Sequence, residues 1–389
     1  MKTADRAQLT AMHAFLKRRQ DEIIGSICKL VETESPSGDF EGSSAVVDRL
    51  VEAARRIPAI SSVERIAVPG YGEHLRMRAF DSQADNTSTT LVLGHTDTVH
   101  PRGSLSIQGV LTKEGRLYGP GIFDMKASCV LALEALRTLV TLDLIPKRPV
   151  VLLLTCDEET GSPTGRKLVE EEARRSAQAL VIEPPAPGGK VKTARKGVGM
   201  WKVRAHGIAS HAGLNPEAGA SAILEIARQT ERFQSMNDPA SGTSFNVGVV
   251  RGGTRSNVIA AEAEIEIDAR FSCMKEAQRV TELMTNLQSF DARVSLTVTG
   301  SLNRGPLERT EGVAKLYQHA REIAACLDFE LGEQSVGGAS DGNFVAALNV
   351  PVLDGLGIEG GGAHAANEHI LISDIARRGA LLAGLIATL

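Results

Sequence analysis

LVLGHTDTVH, residues 91–100, starts as an unbroken apolar run and ends in groups able to bind a metal. The apolar run reads as a strand covered on both faces, because a half-exposed strand would alternate apolar with polar residues. Side chains along a strand point to alternate faces, so His95 and Asp97, two apart, point the same way. A metal-ligating imidazole usually has its second ring nitrogen held by a carboxylate or a carbonyl. An H-x-D at the end of a buried strand therefore offers a ligand and a neighbour to orient it. The same residues also fit a histidine closing a strand and an aspartate opening a turn, and this segment alone leaves both open.

Outward from this strand the pattern repeats. Residues 150–155 form a second apolar run, leading into Cys156-Asp157-Glu158-Glu159-Thr160-Gly161. A third, Leu180-Val181-Ile182, ends at Glu183-Pro184-Pro185. Helical patterns cover residues 43–56, 125–140 and about 162–175, and strands are expected at 63–68 and 75–80. The N-terminal segment reads as one amphipathic helix, with Met12, Phe15, Leu16, Ile23, Ile24 and Ile27 on one side. Apolar strands alternating with helices predict an α/β fold, a mixed, mostly parallel sheet sandwiched by helices.

Past Gly188-Gly189 the character changes. Strands at 198–205, 244–250, 259–271 and 294–298 alternate apolar and polar residues, with helices at 216–236 and 275–290 between them. The order β-α-β-β-α-β and the alternation predict a small ferredoxin-like domain with one sheet face toward water. It interrupts the first domain, giving expected boundaries 1–196, 197–310 and 311–389. The third segment resumes with a helix at 313–326 and strands at 329–336 and 351–353. Gly337 to Gly342 reads as a flexible loop, Gly360-Gly361-Gly362-Ala363-His364 follows, and a last helix starts near Ser373.

In open α/β sheets, ligands bind beyond the carboxyl ends of the strands. His95 with Asp97, Glu158 with Glu159, and Glu183 follow such ends, and His364 lies past the glycine run. Asp124 heads a helix after the Gly119-Pro120-Gly121 turn. Two imidazoles and several carboxylates suit Zn²⁺, or Co²⁺ or Mn²⁺ in its place, and the lack of cysteine disfavours a purely structural zinc. Singly, Asp124 also fits an N-cap, Glu159 a surface acid in a turn, Glu183 a strand-end charge, and His364 a loop histidine. Together at one sheet edge, the acids repel one another unless cations sit among them.

Composition narrows the partners. The chain has 389 residues, enough for two domains, with net charge −4 and 4% aromatics. That balance disfavours nucleic acid, which needs basic surface and stacking rings. No apolar run reaches the ~20 residues of a membrane span. No export signal is recognised, and five scattered cysteines fit reduced thiols. A cytoplasmic location is the expectation.

GHTDTV, YGPGIFDMK, DEETGS, VIEP, ASHAG, SNVI, DARF and GGGAH occur in that order over residues 90–370. The ordered set resembles the zinc-dependent metallopeptidases that include glutamate carboxypeptidase, aminoacylase and succinyl-diaminopimelate desuccinylase. The YGPGI turn and the DEETGS segment are most similar to the glutamate carboxypeptidase type. The resemblance implies a catalytic domain with an inserted dimerisation or lid domain, a homodimer, and two Zn²⁺ ions. His95 and Glu183 would hold one ion, Glu159 and His364 the other, with Asp124 bridging. Asp97 would orient His95, and Glu158 would act as general base. His211 would supply a hydrogen bond to the oxyanion, reaching a partner subunit's site, and Asn257 and Arg270 would contact a substrate carboxylate. The implied reaction is amide hydrolysis that releases a C-terminal amino acid, glutamate favoured, from an N-acyl or peptidyl substrate. Aminoacylase or dipeptidase activity is the alternative, and a non-catalytic metal-binding protein a further one. Glu183, where aminopeptidase-type relatives tend to carry Asp, favours a carboxypeptidase or a deacylase. Met125 and the Arg195-Lys196-Gly197 segment depart from the glutamate carboxypeptidase pattern while leaving the metal set intact.

Overall fold

The computed structural model describes residues 5–81 and 88–389, and the chain divides into two compact units. The larger comprises Met1–Ala194, Arg309–Val336 and Ser340–Leu389, the smaller Arg195–Glu308 with Gly337–Ala339.

The larger unit is built on a mixed sheet of β1 (Ile60–Val68), β2 (Gly72–Ala79), β3 (Thr89–His95), β4 (Val150–Thr155), β5 (Ser176–Val181) and the short strand Val352–Leu353. Their order across the sheet is β1-β2-β4-β3-β5-(Val352–Leu353). β1 and β2 are antiparallel to their neighbours, while β4, β3, β5 and Val352–Leu353 run parallel. Every residue of β3 and β4 is buried. Both faces at the sheet's centre are therefore covered, and polar side chains emerge only at its ends. Helices α1 (Arg6–Arg18), α2 (Gln20–Val31), α3 (Phe40–Ala54) and α4 (Ala127–Thr141) supply much of that cover. Leu9, Met12 and Leu16 of α1, Ile23 and Ile27 of α2, and Val46, Val47 and Leu50 of α3 share one core with Leu131 and Leu139 of α4.

The expected single N-terminal helix is two helices, and its residues 1–4 lie outside the described residues. The break falls at Arg19, whose backbone (φ −93°, ψ 5°) leaves the helical region. Its guanidinium pairs with Glu134 of α4 at 3.0 Å and Glu22 at 2.7 Å. The flexible loop expected at residues 337–342 is also corrected in its second half. Ser340 and Asp341 are buried: the Ser340 hydroxyl donates to Asp354 Oδ2 at 2.7 Å, and that of Thr155 to Asp341 Oδ2 at 2.9 Å. A small sheet of Leu111–Lys113, Arg116–Tyr118, Gly360–Gly361 and His369–Leu371 was not anticipated.

The smaller unit has β6 (Gly197–His206), β7 (Ser244–Gly252), β8 (Glu262–Phe271) and β9 (Ser295–Arg304), antiparallel throughout in the order β7-β8-β6-β9. Its helices are Ala222–Ser235 and Met274–Thr285. The first starts later than the sequence suggests. Ala220 pairs with Ile208, and Ser221 caps the helix by accepting from Leu224 N–H at 3.2 Å. Trp201, Val203, Ile226, Phe233, Ile265, Ile267 and Phe271 form the core. The opposite sheet face carries an ion-pair ladder, with Arg204 to Glu264 at 2.7 Å and Arg251 to Glu266 at 3.0 Å.

Candidate active site

The site lies in the larger unit. His95 closes β3, and Glu158 and Glu159 sit in the turn after β4. Glu183 follows β5, Asp124 lies in the tight turn before α4, and His364 sits between Gly360–Gly361 and His369–Leu371. Parallel β3, β4 and β5 deliver their three contributions to one edge. His95 Nε2 is 3.2 Å from Asp124 Oδ1 and 3.4 Å from Glu183 Oε1. His364 Nε2 is 3.4 Å from both Asp124 Oδ2 and Glu159 Oε2. Asp124 thus turns one oxygen to each imidazole. The donor atoms of His95, Asp124 and Glu159 lie within 4.8 Å of one another, as do those of His95, Glu158 and Glu183.

Asp97 is buried and does more than face His95. The second ring nitrogen of His95 is 3.0 Å from the Asp97 carbonyl oxygen and 3.4 Å from its Oδ1. The Asp97 carboxylate accepts the backbone N–H of Glu158 and of Glu159, both at 3.2 Å, and the Ser37 hydroxyl at 2.7 Å. It therefore fixes the turn from which the adjacent glutamates spread. His364 holds φ +64°, a conformation that costs a non-glycine residue roughly 1–3 kcal/mol and is tolerated where the surroundings impose it.

Electrostatics show which charges this arrangement favours. Burial works against charge on His95, yet hydrogen bonds to Asp124, Asp97 and Glu183 hold its pKa well above the usual imidazole value. Hydrogen bonds from His364 to Asp124 and Glu159 raise its own pKa to about 10. Burial would raise Asp124, but His364 and His95 hold it below the usual carboxylate range. Burial raises Glu159, whose buried Oε1 has no hydrogen-bond partner among the described residues. The carboxylates draw positive charge onto the imidazoles, which is the demand a divalent cation meets. Neutral imidazole and carboxylate without thiolate form a donor set that fits zinc or a similar ion.

The remaining residues named from sequence lie in the smaller unit. The short pair Ser210–His211 and Val258–Ile259 puts His211 beside Asn257, whose carbonyl accepts Ala212 N–H at 3.0 Å. His211 Nδ1 accepts the backbone N–H of Gly213 and Leu214, both at 3.1 Å. The ring proton therefore sits on Nε2 of an exposed side chain. Arg270 on β8 makes a two-pronged pair with Asp268, at 2.6 and 2.7 Å.

Two residues escaped the sequence reading. Glu368 is buried, and its carboxylate accepts the backbone N–H of Asp124 at 2.9 Å. His100, inside the opening stretch, pairs with Glu368 at 2.5 Å. Only the position of Glu368 four residues after His364 hinted at a part in the site. Met125, which departs from the glutamate carboxypeptidase pattern, is fully buried and packs toward Gly94.

A sheet whose carboxyl edge gathers two imidazoles and several carboxylates defines an α/β metallohydrolase. The model of Peptidase family M20/M25/M40 matches residues 91–388, and the chain belongs to that family. It is a hydrolase, with metallopeptidase and amidohydrolase relatives. Carboxypeptidase G2 of Pseudomonas sp. (strain RS-16) is 29% identical over 377 residues, 95% of this chain and 90% of that protein. Succinyl-diaminopimelate desuccinylase of Alkalilimnicola ehrlichii is 32% identical over 303 residues, 72% of this chain and 79% of that protein. The solved structure of aminopeptidase PepT from Bacillus cereus ATCC 10987 shares the fold, with TM-score 0.75, 21% identity, and coverage of 95% of this chain and 98% of that one. No helix among the described residues is long and apolar enough to cross a membrane.

Proposed function

We propose that this chain is a di-zinc amide hydrolase that releases a C-terminal amino acid, glutamate favoured, from an N-acyl or peptidyl substrate. The observation that carries the proposal is the division of Asp124: Oδ1 lies 3.2 Å from His95 Nε2, and Oδ2 lies 3.4 Å from His364 Nε2. Each imidazole has its own further carboxylate, Glu183 for His95 and Glu159 for His364, both at 3.4 Å. His95 and Glu183 would hold one ion, His364 and Glu159 the other, and Asp124 both; Co²⁺ or Mn²⁺ would be accepted. When bound, the ions lower the pKa of water and polarise the scissile carbonyl.

The chain's own residues do the rest. Glu158 takes a proton from the attacking water and passes it to the leaving amine as the C–N bond breaks. Asp97, gripping the Glu158 and Glu159 backbone, lets one glutamate serve as base while its neighbour ligates. His211, with its proton on Nε2, is suited to donate to the oxyanion. Arg270 would exchange Asp268 for the substrate's carboxylate, aided by Asn257, since a guanidinium fork matches a carboxylate. The smaller unit is proposed as the surface of a homodimer, with His211 serving the partner's site. Similarity to carboxypeptidase G2 supports the carboxypeptidase reading, and desuccinylase relatives keep N-acyl deacylation as the alternative.

A panel of N-acyl-glutamate, N-acetyl amino acids, N-succinyl amines and dipeptides, assayed with metal removed and restored, tests this. Hydrolysis of N-acyl or peptidyl glutamate, lost on chelation and recovered with Zn²⁺ or Co²⁺, is expected. Equal activity in metal-free protein would contradict the mechanism.

A further inference from the structure

Glu368 is a buried carboxylate that the proposed ligand set and proton transfer leave unused. It has 1% of its surface exposed. Its Oε1 accepts the backbone N–H of Phe123 at 2.8 Å and of Asp124 at 2.9 Å. Its Oε2 accepts the backbone N–H of Gly121 at 3.0 Å and Nε2–H of His100 at 2.5 Å. A carboxylate offers about four acceptor sites, so this one is saturated.

The partners come from distant parts of the sequence. His100 lies in the loop that follows His95 and Asp97. Gly121, Phe123 and Asp124 form the turn that presents the shared carboxylate. Glu368 belongs to the loop that carries His364. The turn has little freedom of its own. Gly121 sits at φ +69°, and a Cβ there would lie 2.3 Å from Thr98 Cγ2. Gly119 N–H also donates to the Glu368 carbonyl, at 3.2 Å. One side chain thus joins the three segments bearing His95, Asp124 and His364, and does so through the backbone N–H of Asp124 itself.

We propose that Glu368, oriented by His100, is a positioning residue that holds Asp124 between His95 and His364 and thereby sets the affinity of the site for its cations. This rests on the di-metal reading above. Outer groups that orient ligands commonly change metal affinity or activity by about 10–100-fold when altered. Glutamine at 368 is nearly isosteric, but its NH₂ would face backbone N–H donors where an oxygen now accepts.

The test titrates metal-free wild-type, Glu368→Gln, His100→Leu and His100→Gln proteins with Zn²⁺ against a competing chelator, and records visible spectra of the Co²⁺ forms. Wild type is expected to take two ions. Glu368→Gln should bind about 10–100-fold more weakly, with displaced Co²⁺ bands. His100→Leu should move both readouts the same way by less, and His100→Gln, which keeps an N–H donor, should recover toward wild type. A folded Glu368→Gln with wild-type affinity and spectrum overturns the inference while leaving the di-metal reading intact. If that variant does not fold, His100→Leu indistinguishable from wild type overturns it equally. A wild-type protein that takes up no cation overturns the metal reading, and this inference with it.

Discussion

β4 and β8 are central strands of their sheets, yet they divide polar from apolar in different ways. All of β4 is buried, from Val150 to Thr155. Along β8 burial alternates: Ala263, Ile265, Ile267, Ala269 and Phe271 are buried, and Glu262, Glu264, Glu266, Asp268 and Arg270 reach toward water. A strand covered on both faces has room for charge only at its ends, whereas a strand covered on one face carries charge along its length. The larger unit's acids therefore collect where β3, β4 and β5 stop, close enough to compete for protons and cations. The smaller unit's acids lie along an open face, paired with Lys202, Arg204 and Arg251. Carboxylates crowded at a sheet edge are suited to chemistry, while an exposed ladder of pairs contributes little to stability.

The sharpest way to break this contrast is to remove one acid from each unit. Glu158→Gln should lower kcat by about 10²–10⁴-fold while zinc content stays at the wild-type level. Glu266→Gln should leave kcat unchanged. Steady-state kinetics with metal analysis checks both, and an active Glu158→Gln enzyme would remove Glu158 as the base.

Stability should differ in its periodicity. Leu152→Ala and Leu153→Ala, neighbours on opposite faces of β4, should each cost about 2–5 kcal/mol. Ile265→Ala should cost a similar amount in the smaller unit, while Glu266→Ala next to it should leave the melting temperature unchanged. The chain's single tryptophan, Trp201, lies in the smaller unit's core, so its fluorescence follows that unit as urea is raised, with circular dichroism following the whole chain. Sensitivity at Leu152 but not Leu153 would mean that one face of β4 is open.

Smaller effects test the join between core and site. Gly94→Ala would put a Cβ 2.7 Å from Met125 Cε and 2.9 Å from Ile182 Cγ1, next to His95. It should destabilise by about 1–3 kcal/mol on urea unfolding, as overpacked cores do. Zinc affinity should also fall as pH is lowered. His364, raised to about 10 by Asp124 and Glu159, holds a proton through neutral pH in the metal-free site and must release it to ligate. Each proton displaced makes binding up to about tenfold weaker per pH unit below that value. Calorimetry in buffers of different ionisation enthalpy measures the release, and binding without it would contradict this picture.

Much of the fold was legible because both strand patterns extend over enough residues to show a period. The unbroken run before His95 and the strict alternation through residues 261–271 needed no partner to interpret. The sheet of Leu111–Lys113, Arg116–Tyr118, Gly360–Gly361 and His369–Leu371 was not legible. Strands of two or three residues carry no period, and their pairing spans most of the chain. The break at Arg19 depends on Glu134, far along the sequence. Ser340 and Asp341 read as loop residues because nothing nearby in sequence reveals Asp354 and Thr155 as partners. Candidate ligands stood out as His, Asp and Glu at strand ends. Glu368 did not, since its role follows from backbone N–H groups that any sequence possesses.

The central claim is that Asp124 is shared by two cations. It is tested most directly by counting zinc per chain, by elemental analysis after dialysis against a weak chelator, in wild type, Asp124→Asn and Glu183→Gln. The account predicts two ions in wild type, loss of both with Asp124→Asn, and loss of one with Glu183→Gln. A single ion in wild type, or two ions retained by folded Asp124→Asn, would contradict it.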